Sequence, residues 1–443
     1  MQRDARGLAL STDSAEAARL IDRATAEYLE YRKTTLATVT EALDADPEFC
    51  LGHCFTGYLF MLFGSHAVDG KVDAALAKAR RLAPKATARE QKHVAALAAW
   101  RAGDTERAAR IWDDILIAHP HDMLALRLQH FNLFWAGQSY FMRDAAARAL
   151  DAWDESLPGY GNVLGMYAFA LEECGDYAAA EPKGRRAVEL SGDDLWAIHA
   201  VSHVLEMQGR LQEGVGWLKQ PFGAWADRNP FRLHLWWHTA LFPYELGQYD
   251  RVLEFYDREI RSDPSEFYLD IQNAASMLFR LEWCGVDVGG RWRELAEIAE
   301  KHIDDHVLAF TDLHFMLSLC RDDRLAAAER LLTSFRTFAA TPGNGAAATM
   351  QPTAIPIAEA MLAYAKGDYT TAIERLAASR YRWPLVGASH AQRDVFTILL
   401  IAAAEKAPDW AMARALLGER MELRPHSAGN QAHYRVAMAA PLP

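Results

Sequence analysis

Gly103-Asp-Thr-Glu-Arg-Ala-Ala-Arg-Ile-Trp-Asp-Asp-Ile-Leu-Ile-Ala-His-Pro120 is the stretch that decides the fold. A Gly-Asp turn opens it, Ala108, Ile111, Trp112 and Ile115 fall on one face of a helix, and Pro120 stops that helix. Small residues at such offsets let two helices approach closely, which is the second half of the tetratricopeptide pattern. Gly175, Ala180 and Ala187 repeat it, as do Gly247, Tyr249, Val252, Tyr256 and Pro264, and then Gly367, Tyr369 and Ala372. The turn position recurs at 103, 137, 175, 209, 247, 285 and 323, at intervals of 34, 38, 34, 38, 38 and 38 residues.

Each interval holds two amphipathic helices, and strand signals are nearly absent. The expected fold is therefore all-α, a tetratricopeptide-like helix-pair solenoid winding as a right-handed superhelix with the first helices on its concave face. Thr87 and Glu90 form a capping-box pattern that starts a helix over 88–102. The pattern predicts an N-terminal extension over 1–14, repeats over 15–340, a Gly/Ala/Asn-rich linker over 341–348 and a C-terminal helical cap or continuation over 349–443.

At 443 residues the chain exceeds the size of one compact core, so it must divide or elongate. Half its residues are apolar and 24% are charged, an ordinary globular balance. A net charge of −12 argues against a nucleic-acid backbone or an anionic membrane as principal partner. Five scattered cysteines, Cys50, Cys54, Cys174, Cys284 and Cys320, fit a reducing cytoplasmic setting better than a disulfide framework. No apolar run is long enough to span a bilayer and no secretory signal opens the chain. Gly-rich phosphate loops, nucleophile elbows and Cys-x-x-Cys motifs are also absent.

With the turn glycine as position 15 of its unit, positions 2, 5, 9, 12 and 13 of the first helix are expected to line the groove. They include His199, His203 and Glu206 in one unit, and His234, Trp237, Tyr244 and Glu245, with His238 adjacent, in the next. Imidazoles beside carboxylates can exchange protons near neutrality or hold a divalent metal. His199-x-x-x-His203 has the spacing of a zincin helix, but Ala200 stands where the catalytic Glu belongs. His199, His203, Glu206 and His238 are thus the candidate acid-base set. The competing reading is that histidines and aromatics at helical spacing simply pack the core. The cofactor stays open, a divalent metal among the options.

Nearly the whole chain, from Leu8 to about Pro425, resembles the tetratricopeptide repeat protein 38 family. The resemblance rests on Leu10-Ser-Thr, Arg89-Glu-Gln-Lys-His93, His119-Pro-His-Asp-Met-Leu-Ala-Leu126, Met142-Arg-Asp144, Ala197-Ile-His-Ala-Val-Ser-His-Val-Leu-Glu-Met207 and His234-Leu-Trp-Trp-His238. Asp305-His306, Asp312-Leu-His314 and, most distinctively, Ala391-Gln-Arg-Asp-Val-Phe396 complete it. It implies architecture rather than activity, and it sets Asp312, His314, Gln392, Arg393 and Asp394 beside His234, Trp237 and Tyr244 as candidate binding residues. Arg393 is expected to clamp a carboxylate.

Two functions follow as expectations. One is a small-molecule pocket made where the superhelix closes on itself and the Gln392-Arg393-Asp394 segment meets the His/Glu/Trp-rich concave face, working by acid-base or metal-assisted chemistry. The alternative is a non-catalytic scaffold that takes a peptide or protein partner in the groove. A homodimer through the Ala-rich helix Ala145 to Ala152 is a further option, against helix packing as the role of those residues.

Overall fold

Gly103 shows how the repeat is built. Its φ of +80° lies in the left-handed region, which glycine enters without steric cost. There its N–H reaches the Trp100 carbonyl at 2.9 Å and the Asp104 N–H reaches the Ala99 carbonyl at 3.0 Å, the paired bonds of a Schellman stop. Asp104 then accepts from the Arg107 N–H and caps the next helix. One residue ends a helix and its neighbour starts the second, so the chain reverses within a few residues. The same two bonds recur at Gly137, Gly175, Gly209, Gly247, Gly285 and Gly367, all with φ between +65° and +81°. At 323 the turn residue is Asp323, held at φ +57°.

The computed structural model describes residues 1–441. The chain is all-α apart from a two-stranded antiparallel pairing of Gln2–Arg3 with Ala9–Leu10. Its helices follow one another as tetratricopeptide-like pairs, in two compact units.

The first unit, Met1–Val201 with Trp225–Asn229 and Gly343–Gly345, holds the pairs Ala15–Leu29/Thr35–Ala45, Cys50–Met61/Asp69–Leu82, Ala88–Arg101/Thr105–Ala118, Met123–Trp135/Ser139–Leu150 and Tyr160–Glu173/Tyr177–Leu190. Ala108, Trp112 and Ile115 are buried in it, as their spacing predicts. Close approach depends on small residues: a Cβ at Gly184 would meet Val201 Cγ2 at 2.7 Å. Ala145, Ala146 and Ala149 are also buried, which gives that Ala-rich helix to internal packing rather than to a dimer surface.

The second unit comprises Ser202–Ala224, Pro230–Pro342 and Ala346–Pro443. It begins within the helix Leu195–Met207 and continues through Phe231–Glu245/Tyr249–Phe255, Tyr268–Trp283/Arg291–Lys301, Ala309–Arg321/Leu325–Phe338, Ile355–Ala365/Tyr369–Ser379 and His390–Lys406/Trp410–Leu423 to Ala428–Ala439. Among the described residues no helix is long and apolar enough to cross a membrane.

Candidate functional site

The helix Phe231–Glu245 is buried along nearly its whole length. A helix with no polar face must lie in a core, yet this one carries His234, His238 and Glu245 into it. Burying such groups is costly unless each finds a partner, so their contacts define the site.

His234 Nδ1 lies 2.8 Å from Asn273 Oδ1 and His238 Nδ1 lies 3.3 Å from Glu206 Oε2. The two Nε2 atoms face each other at 3.2 Å. The His203 ring centroid is 4.5 Å from that of His238, and one nitrogen from each of His203, His234 and His238 lies within 4.8 Å of the others. Burial drives the pKa of His234 down to about 3 and that of His238 well below the ordinary histidine value. Both rings are therefore neutral at pH 7, and the His238–Glu206 contact is a hydrogen bond rather than an ion pair. Trp237 stacks on His234 with centroids 5.3 Å apart and planes 10° from parallel.

Around the imidazoles stand three arginines and three carboxylates. Arg424 Nη1 lies 3.0 Å from Asp394 and 3.8 Å from Glu245, and its Nη2 lies 3.5 Å from Glu206. Arg420 also pairs with Asp394 and donates to Asn430 at 2.9 Å. These two guanidiniums hold the Asp394 carboxyl well below its usual range despite its burial. Glu206 moves the other way: burial outweighs the attraction of Arg424 and His203 and lifts it to about 7. A carboxyl in that range can hold or release a proton at neutral pH.

Arg280 differs from both neighbours. It is 1% exposed, and it makes no ion pair among the described residues. Its Nη1 donates to Ser276 and its Nη2 donates to the Ala391 carbonyl at 2.6 Å. Those contacts engage at most three of five donors. Its guanidinium stands 5.4 Å over the Trp237 ring, and burial pulls its pKa below the ordinary arginine value. Other buried polar atoms nearby have no hydrogen-bond partner among the described residues: Trp237 Nε1, Glu245 Oε2 and Asn273 Nδ2.

The remaining residues singled out by sequence have further contacts. His199, one turn before His203 on the same helix, lies against Phe169 and Trp196, at 5.2 and 4.9 Å between centroids. Tyr244 accepts from the Cys284 thiol at 3.4 Å. Asp312 bonds His306 Nδ1 at 3.2 Å. His314 donates from Nδ1 to the Phe310 carbonyl at 2.7 Å. Gln392 closes a capping box with Ser389, a role that Ser389-His-Ala-Gln392 already spells out. Arg393 donates to the Gly387 and Ala388 carbonyls just before its own helix. Arg280, Asn273, Arg420 and Arg424 were not singled out by sequence, yet they frame the cluster.

The residues expected on the concave face are covered. His203, Glu206, His234, Trp237, His238 and Tyr244 are all buried. The physical reason is that the first helices of the second unit are packed on another side by its own last helices, from which Ala391, Asp394 and Arg424 reach them.

No known protein-family profile matches the chain. Solved structures that it is similar to include a human IFIT1 dimer with PPP-AAAA, at 13% identity over 95% of this chain and 94% of that one, with a TM-score of 0.42. Yeast Tom70 matches at 13% identity over 96% and 95%, TM-score 0.34, and the APC/C hetero-tetramer Cut9-Hcn1 at 11% over 96% and 90%, TM-score 0.32. At such identities and scores these likenesses carry no weight for substrate or partner.

Proposed function

We propose that this chain is a helical-repeat protein whose second unit binds a small carboxylate-bearing molecule at Arg280, Trp237 and the His203–His234–His238 cluster. Glu206 is placed to exchange a proton with the bound molecule. The observation that carries the reading is Arg280, a fully buried guanidinium that makes no ion pair among the described residues and feels Asp394 and Glu206 only at longer range. Arg420 and Arg424, in the same cluster, both pair directly with Asp394. A buried charge without a pair is costly, and a bidentate carboxylate is the natural complement of a guanidinium edge.

Family membership belongs to the same proposal. The stretches that resemble the tetratricopeptide repeat protein 38 family, Ala197–Met207, His234–His238 and Ala391–Phe396, supply His203, Glu206, His234, His238 and Asp394 to this cluster. The test is thermal unfolding of the full chain against a panel of small mono- and dicarboxylates. At least one should raise the midpoint in a dose-dependent way, and Arg280→Gln should abolish that rise. A wild-type midpoint unmoved by every member sinks the reading.

A second reading, an interaction scaffold, has its own observation. Leu423, Val436 and Met438 at the last helices of the second unit are more than half exposed, an arrangement that suits a protein partner. Charging Val436 and Met438 together should release such a partner and leave carboxylate binding untouched.

A further inference from the structure

The geometry points to a metal site, three histidines for one first-row divalent cation of the zinc type, at His203, His234 and His238. It goes beyond the carboxylate reading, with which it shares the three imidazoles but not Arg280.

The inference starts from hydrogen-bond directions. A neutral imidazole has one N–H and one lone pair. His234 Nδ1 faces the amide oxygen of Asn273, and His238 Nδ1 faces a carboxylate oxygen of Glu206, so each ring places its hydrogen on Nδ1. Both Nε2 atoms then present lone pairs, and they point at each other across 3.2 Å. Two lone pairs in that position repel unless a positive species lies between them. Two nitrogens on one tetrahedral ion, each about 2.0–2.1 Å from it, stand about 3.3 Å apart. The observed spacing matches.

A shared proton is the competing bridge, with Glu206 as the carboxylic acid donating to His238. It needs only the His234–His238 pair, whereas a metal ion draws on all three rings. His203 brings its nitrogen into the same 4.8 Å set. Asn273 and Glu206 are what metal-bound histidines ordinarily have behind them, acceptors that fix the tautomer and orient the ring. The surrounding charges do not forbid a cation, because Arg280, Arg420 and Arg424 are matched in number by Glu206, Glu245 and Asp394.

The test uses the full chain without a polyhistidine tag, stripped with chelator and titrated with Co²⁺ alone. Expected is one ion per chain with the intense visible bands of tetrahedral cobalt, displaced by Zn²⁺. His238→Ala should weaken binding by more than about 100-fold, and Asn273→Ala, which removes only the acceptor behind His234, by about 10- to 100-fold. Should His238→Ala fail to fold, Asn273→Ala carries the decision. A folded wild-type chain that binds no cobalt, or binds it as tightly as the folded variants do, overturns the site. Cobalt binding in a chain that no carboxylate stabilises leaves the metal site standing and sinks the anion reading. Carboxylate stabilisation lost in Arg280→Gln, in a chain that takes up no cobalt, does the reverse.

Discussion

Both units bury histidine, arginine and carboxylate together, but they complete the set differently. In the first unit Asp122 binds Arg89 at 2.5 Å and His93 Nε2 at 3.0 Å, and its other oxygen caps the helix Met123–Trp135 through the Ala125 N–H. Arg89 also donates to the Ala9 carbonyl at 3.0 Å, Tyr58 meets His93, and Trp112 donates to Tyr58. That network is complete within itself. In the second unit Arg280 makes no ion pair, and Trp237 Nε1 and Glu245 Oε2 have no hydrogen-bond partner, among the described residues. Buried histidines alone therefore do not mark a site. What marks one is a buried polar set that the chain leaves incomplete.

That contrast can be broken most severely in the first unit. Asp122→Ala strands Arg89 and His93 inside the core and should cost about 3–5 kcal/mol, read from denaturant unfolding. A loss below about 1 kcal/mol would mean that the network is looser than its distances imply. Replacing each arginine by methionine sharpens the comparison. Arg89→Met should destabilise by about 3 kcal/mol, because it leaves Asp122 short of a partner. Arg280→Met should be neutral or stabilising by about 1–4 kcal/mol in the ligand-free chain, because it removes an unpaired charge. Equal losses from the two would erase the distinction.

Acid offers a smaller effect. Burial lowers the His314 pKa to about 4, below the value of about 6.5 in an unfolded chain. Between these values the unfolded chain binds the proton more readily, so stability rises with pH through the window and is lost as pH falls from about 6.5 to about 4. His314→Phe should flatten that part of the profile, measured as the unfolding midpoint at pH 7 and pH 5. An unchanged slope would assign the acid sensitivity to other buried histidines such as His130, which burial also shifts well down. Smallest is Gly214, where a Cβ would stand 2.0 Å from Phe242. Gly214→Ala should cost about 1–3 kcal/mol by overpacking, with carboxylate binding intact.

The turns were legible because their physics is local. A glycine that must take positive φ and an aspartate that must cap are both visible one repeat at a time, and only Asp323 departs from glycine among the spaced turn positions. His203, Glu206, His234 and His238 were legible as well, since helical spacing sets them on first helices. Their surroundings were not. Glu206 and Arg424 meet across more than two hundred residues of sequence, and no periodicity announces such a contact. Asn273 and Arg280 fall at positions 3 and 10 of their unit, outside the groove register, and matter only because the last helices of the second unit cover that side. Arg393 looked like a clamp because its neighbours are distinctive, yet a helix start needs carbonyl partners and takes it first. The formal charge of −12 sums the whole chain and says nothing of a site where three guanidiniums gather.

Native mass spectrometry of the untagged full chain, compared with the same sample denatured, tests most directly whether the second unit is completed by something other than protein. A native mass above that of the polypeptide, lost on denaturation and absent in Arg280→Gln or His238→Ala, is the predicted result. A folded chain whose native mass equals its sequence mass, and which gains none on incubation with carboxylates or Co²⁺, would contradict it.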